Sequence, residues 1–166
     1  RIYLYHFPQV SSVPISVELA VRLKKEFGPI IAGLKDSSGD FSQSAKFAQA
    51  TGGIEKDFDV YPSSEAFYFR GIDAGCAGII SGSTNVFAPL LQAAIKASDG
   101  KKSKEFQRVV EARSFIGAFN LMAAMKSAEA NRIGDEDWER LAPPLRQLKL
   151  EEKQKLYSGL LEIFNN

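Results

Sequence analysis

The run Ile30-Ile31-Ala32-Gly33-Leu34-Lys35-Asp36-Ser37-Ser38-Gly39 sets the reading of everything around it. Ile30 to Leu34 are apolar without alternation, the pattern of a parallel strand covered on both faces rather than of a half-wet strand. The run delivers Lys35 at the strand end, and Asp36-Ser37-Ser38-Gly39-Asp40 is the polar loop that follows. Upstream, Val17, Leu19, Ala20, Val21, Leu23 and Phe27 recur at helical spacing between charged residues. Ser16 stands at the cap position, and Gly28-Pro29 stops the pattern, so this segment is an amphipathic helix. Further upstream still, Ile2 to Tyr5 is rich in β-branched and aromatic residues and is closed by Pro8, which makes it a strand ending at Tyr5 and His6.

Downstream the alternation continues. A helix from about Ser42 to Ala50 ends at Thr51-Gly52-Gly53; Phe58 to Tyr61 is a strand; Pro62-Ser63-Ser64-Glu65 is a loop; and a helix runs from about Ala66 to Ala74. A further strand at Ala77 to Ile80, the loop Ser81-Gly82-Ser83-Thr84-Asn85 and a helix from about Pro89 to Ser98 complete the series. Four strands alternating with helices at βα spacing place residues 1–98 in the α/β class with a parallel sheet, and repeated βα units favour a barrel. Beyond Asp99-Gly100 the pattern is helical only: Ser103 to Ala124, a shorter helix near Lys126 to Asn131, and Glu151 to Phe164. Residues 99–166 therefore form a three-helix extension. A complete (β/α)8 barrel needs ~250 residues and eight strands. Four strands leave two unpaired edges, so the sequence is expected to be a piece of a longer polypeptide, or less readily half of an assembly whose other chain supplies the remaining strands.

Composition narrows the function classes. The 21 basic and 20 acidic residues nearly cancel, and the longest basic run is Lys101-Lys102, so neither nucleic acid nor an anionic membrane surface is an expected partner. No apolar run approaches the ~20 residues needed to span a bilayer. Cys76 stands alone, which excludes an internal disulfide and accords with a reducing, cytoplasmic setting. With one histidine and one cysteine the chain offers no metal-ligand cluster, and no metal or other cofactor is expected.

The chemistry-bearing feature is the pair Tyr5 and Lys35, each at a strand end and one βα unit apart. In a parallel barrel both emerge at the C-terminal face, where this architecture places catalysis. Partial desolvation at the strand end favours the free amine that attacks a carbonyl, and a neighbouring phenol can relay protons. The competing reading has Lys35 snorkelling from a strand end and Tyr5 as a core ring with a wet hydroxyl.

The segments Leu4-Tyr5-His6-Phe7-Pro8, Ile31-Ala32-Gly33-Leu34-Lys35-Asp36-Ser37-Ser38-Gly39 and Gly78-Ile79-Ile80-Ser81-Gly82-Ser83-Thr84-Asn85, in this order and spacing, resemble the fifth, sixth and eighth strands of the dihydrodipicolinate synthase and N-acetylneuraminate lyase family. The resemblance covers essentially the whole chain and identifies it with the C-terminal portion: about the last four βα units of a (β/α)8 TIM barrel plus the helical extension. It implies that Lys35 forms an imine with the keto carbon of pyruvate or a 2-keto acid, that Tyr5 shuttles protons, and that Ile80 lines the pyruvate site, largely through its backbone. His6, where many members have asparagine, is either a hydrogen-bonded strand-end side chain or a substrate contact. Ser81 and Ser63 are read as substrate-binding, with a turn-and-cap role as the alternative for each loop. Members are commonly tetramers, so a homo-oligomer is implied.

Two departures bear on specificity. Dihydrodipicolinate synthases usually carry an arginine five residues after the tyrosine, and here that position is Val10. The glycine-rich turn with paired Thr/Ser residues that binds the pyruvate carboxylate lies on an early strand in the family and is absent from these 166 residues, so the N-terminal barrel half is needed to hold substrate. The resulting expectation is a class I aldolase or lyase using pyruvate and an aldehyde, or cleaving their aldol, with a 2-keto-3-deoxy sugar acid as substrate. The alternatives are a dihydrodipicolinate synthase joining pyruvate to aspartate semialdehyde, and a non-catalytic half-barrel serving binding or assembly.

Overall fold

In a computed structural model, which describes residues 1–165, the three strands β1 (Ile2–His6), β2 (Ile31–Asp36) and β3 (Asp59–Pro62) form one parallel sheet in the order β1-β2-β3. The register sets Tyr5 against Lys35 and Lys35 against Tyr61, with His6, Asp36 and Pro62 forming the next rung. A short helix α1 (Pro8–Ser11) follows β1, α2 (Val17–Phe27) leads to β2, and α3 (Phe41–Thr51) leads to β3. The Ser16 hydroxyl accepts from the Leu19 amide to cap α2, and Gly28, at φ 54°, ends it where a side chain would be strained. Asp40 caps α3 through the Ser42 amide.

One face of the sheet carries the core. Leu34, Val60 and Phe58 pack with Ala20 of α2 and Phe47 of α3, all fully buried. The opposite face carries Tyr3, Tyr5, Lys35, Asp59 and Tyr61, because successive strand residues point to opposite sides. The cover on both faces expected of the Ile30–Leu34 run holds for Ile31 to Leu34, all of them buried, whereas Tyr3 and Tyr5 on the neighbouring strand are 45% and 51% exposed. Gly33 lies beneath the Tyr3 ring, and a Cβ there would come within 2.2 Å of the Asp59 carbonyl and 2.7 Å of that ring. The glycine lets Tyr3 reach across β2 and donate to the Asp59 carboxylate at 2.6 Å.

The expected fourth strand is also corrected. Residues 77–80 are extended but form no ladder: the Ala77 amide donates to the Val60 carbonyl at 3.0 Å and the Ile80 amide to the Pro62 carbonyl at 3.1 Å, too few bonds for a strand pair. The helix before it is a 3₁₀ turn, Glu65–Phe67, running into α4 (Tyr68–Asp73).

The chain divides into two compact units between Ser81 and Gly82. The sequence division after residue 98 groups α5 (Thr84–Lys96) with the sheet, whereas α5 packs chiefly on α6 (Lys104–Gly117). Asn166, the last residue of the expected extension, lies outside the described residues. Helix α5 begins at Thr84, not at Pro89; Pro89 sits inside it and forgoes one backbone bond. The expected long helix over 103–124 is two helices. Helix α6 ends at Gly117, and Asn120 starts α7 (Leu121–Ile133) by accepting from the Ala123 amide at 3.2 Å, a competing local bond that favours a cap over continuation. The shorter helix expected near 126–131 is the second half of α7. The last helix, α8 (Leu150–Asn165), packs on α6 and α7 through Leu156 and Leu160.

Candidate active site

Parallel pairing of β1 with β2 brings two strand-end side chains side by side. Lys35 Nζ donates to the Tyr5 hydroxyl at 3.3 Å and lies 4.5 Å from the centre of the Tyr5 ring. Both stand at the C-terminal edge of the sheet, Lys35 half-buried and Tyr5 open to solvent. A second donor reaches the same oxygen: Ser37 Oγ, one residue past β2, at 3.4 Å. The Ser37 hydroxyl first, and then Lys35, hold the Tyr5 phenol below its ordinary range, against partial burial that works the other way. With Lys35 and Ser37 donating to the same oxygen, Tyr5 is equipped to give up its own proton and take it back. A primary amine and such a phenol in contact can make and break an imine with proton transfer at the neighbouring oxygen.

The other sequence-predicted residues lie around this pair unevenly. Ser63 follows Pro62, the β3 partner of Asp36, so it lies half-buried at the same edge. Ile80 is 45% exposed and hangs on β3 through its backbone amide. Ser81 donates to the fully buried Glu65 carboxylate at 2.9 Å. His6 is not brought to the site. It is buried on the helix side of the sheet, where its Nδ1 accepts from the Ile15 amide at 3.0 Å and its ring meets Phe47 edge-on. The substrate contact expected of it gives way to the hydrogen-bonded strand-end role, because strand alternation turns it away from Tyr5.

Ser37 is not singled out by its sequence context, although a hydroxyl two positions beyond a strand-end lysine is a signal for it. Asp59 and Tyr61 are not singled out either. Their period-2 spacing puts them on the face of Lys35, where Tyr61 lies 6.2 Å from the Tyr3 ring. Among the described residues no group of three or more His, Cys, Asp or Glu side chains is arranged to hold a metal, and no helix is long and apolar enough to cross a membrane.

Comparison with known proteins returns the same family. The model of the Dihydrodipicolinate synthetase family matches residues 2–162. An uncharacterised DapA-like lyase of Halobacterium salinarum is 28% identical over 166 residues, covering 98% of this chain and 52% of the relative. One from Chloroflexus aurantiacus is 29% identical over 130 residues, covering 77% of this chain and 42% of that protein. The crystal structure of dihydrodipicolinate synthase from Agrobacterium tumefaciens superposes with a TM-score of 0.78 at 29% identity, over 95% of this chain and 52% of that one. At 20% identity the likeness is one of fold: YagE of E. coli K12, solved in complex with pyruvate, gives a TM-score of 0.81 over 98% of this chain and 55% of that one. The chain thus spans about half the length of the relatives it matches. With a family match running nearly end to end and the lysine and tyrosine strands in register, the chain belongs to the dihydrodipicolinate synthetase family.

Proposed function

We propose that this chain is the Schiff-base-bearing, C-terminal portion of a class I aldolase whose barrel is completed by an N-terminal half. The observation that carries the reading is the contact of Lys35 Nζ with Tyr5 Oη, 3.3 Å apart on adjacent strand ends. The Lys35 amine adds to the keto carbon of a 2-keto acid and water leaves, giving a protonated imine that draws electrons from the neighbouring carbon. In the cleavage direction Tyr5 takes the proton of the hydroxyl two carbons from the imine. The carbon–carbon bond then breaks, an aldehyde departs, and the enamine left behind is protonated and hydrolysed to pyruvate. Condensation is the reverse. The amine supplies the electron sink, so the cycle runs without a metal or other cofactor.

The substrate favoured is a 2-keto-3-deoxy sugar acid. Val10, 71% exposed on α1, stands where a carboxylate-binding arginine would serve aspartate semialdehyde. The hydroxyls of Ser63 and Ser81 and the peptide edge at Ile80 are the contacts assigned to substrate. A homo-oligomer, a tetramer in the family pattern, and a cytoplasmic setting complete the reading. The test is product analysis with the native full-length protein. Release of pyruvate from a 2-keto-3-deoxy sugar acid, with no turnover of pyruvate plus aspartate semialdehyde, is the expected outcome. The reverse preference would establish the dihydrodipicolinate synthase alternative, and neither activity would leave the assembly module.

A further inference from the structure

Behind the Lys35–Tyr5 pair lies a second set of polar groups that the proton relay does not itself use. Asp36, the last residue of β2, turns its carboxylate to the helix side of the sheet and is 2% exposed. One of its oxygens accepts from the Ser38 amide at 2.9 Å, and the other accepts from Ser44 Oγ, in α3, at 2.5 Å. Two further bonds hold the same short loop. The Ser37 amide donates to the His6 carbonyl at 2.8 Å, and Gln9 Nε2 donates to the Ser38 carbonyl at 2.5 Å. Ser37 is therefore fixed through its own backbone and through both neighbours, and alternation along the chain turns its hydroxyl to the open face, onto Tyr5. A buried carboxylate in such a place is costly unless it is fully bonded, and both oxygens of Asp36 are bonded to the segment that carries or supports Ser37.

We infer that Asp36 and Ser44 are positioning residues: anchored on α3, the pair holds the Ser37 hydroxyl against the Tyr5 oxygen and so keeps the proton relay in working geometry. This rests on the aldolase reading only for its purpose; the linkage itself is a property of the folded chain. Besides Ser37, Tyr5 meets Lys35 and the Phe7 ring, 5.6 Å from its own. Asp36 faces Cys76, a thiol that burial and this carboxylate push up to about 11 and that therefore stays neutral.

The test is an ultraviolet titration of tyrosinate in the native full-length protein, taking each protein against its own Tyr5→Phe counterpart so that the difference reports Tyr5 alone. Ser37→Ala raises the Tyr5 titration by about half to one pH unit, the effect of one lost hydrogen bond to the charged form. Ser44→Ala raises it comparably, Ser44→Thr leaves it unchanged, and Ser44→Ala adds nothing in the Ser37→Ala background. Ser44→Cys, close in volume and a weak donor, serves if Ser44→Ala does not fold. A Tyr5 titration that stays put when the Ser44 hydroxyl is removed, or shifts that add in the double variant, overturns the linkage. Reductive trapping of pyruvate on wild-type Lys35 is measured separately: its absence removes the aldolase reading, while the Tyr5 titration still decides whether the clamp exists.

Discussion

The role proposed for Tyr5 rests on two donors to one oxygen. Ser37 and Lys35 both favour the phenolate, so the ionised form is reached at lower pH than for a free phenol. Tyr5→Phe keeps the ring and removes the relay: imine formation at Lys35 persists while kcat falls by about a hundredfold or more, the usual worth of a positioned acid-base group. Steady-state turnover alongside borohydride trapping separates the two effects, and parallel loss of both would assign Tyr5 to binding instead. The limb of the pH–rate profile that Tyr5→Phe abolishes moves to higher pH in Ser37→Ala, since losing a donor destabilises the phenolate. The lysine and tyrosine were legible in the sequence because each closes an apolar run. The Ser37 bond was not, because a loop serine declares its partner only once the register across β1 and β2 is known.

Between elements, small residues and bonded charges decide how strands and helices pack within each unit. Gly33→Ala puts a methyl group into the Asp59 carbonyl and the Tyr3 ring. It is expected to cost about 2 kcal/mol or more of stability, read by urea unfolding; a neutral result would mean that the Tyr3–Asp59 bridge is dispensable. In the helical unit Glu139 accepts from Ser127 at 2.8 Å, from Tyr157 at 3.3 Å and from Lys153, joining α7 to α8. Burial works to raise its carboxyl, but the bonds from Lys153 and Ser127 outweigh it and hold the group below the usual carboxylate range. A depressed folded value contributes stability that is complete at neutral pH and lost as pH falls through that value. Glu139→Gln therefore costs about 2 kcal/mol at pH 7, and the difference from wild type shrinks as pH falls through that depressed value. Unfolding curves at pH 7 and in acid check this, and a difference that persists in acid would contradict it. The helix start at Ser16 was legible from cap chemistry, whereas the start of α3, expected near Ser42, lies at Phe41 with Asp40 as its cap. The break at Asn120 was not legible, because an asparagine after an apolar run can cap or continue, and packing between α6 and α7 chooses.

At the scale of the whole molecule, the exposure of Tyr3 and Tyr5 and a chain that spans about half the length of its relatives both support the proposal that an N-terminal half covers this face. Three strands were readable from apolar runs. The fourth was over-read, since Ala77 to Ile80 has strand composition but bonds β3 at only two amides. Family membership was readable because the lysine loop, the tyrosine strand and the Ile80 loop keep their order and spacing through the chain. The central claim is that Lys35 is the amine that takes up the keto acid. Intact mass of the native full-length protein after incubation with pyruvate and borohydride tests it directly. A single reduced pyruvate adduct that maps to Lys35 and vanishes in Lys35→Ala is the predicted result; an unmodified protein, or an adduct that survives the substitution, would contradict it.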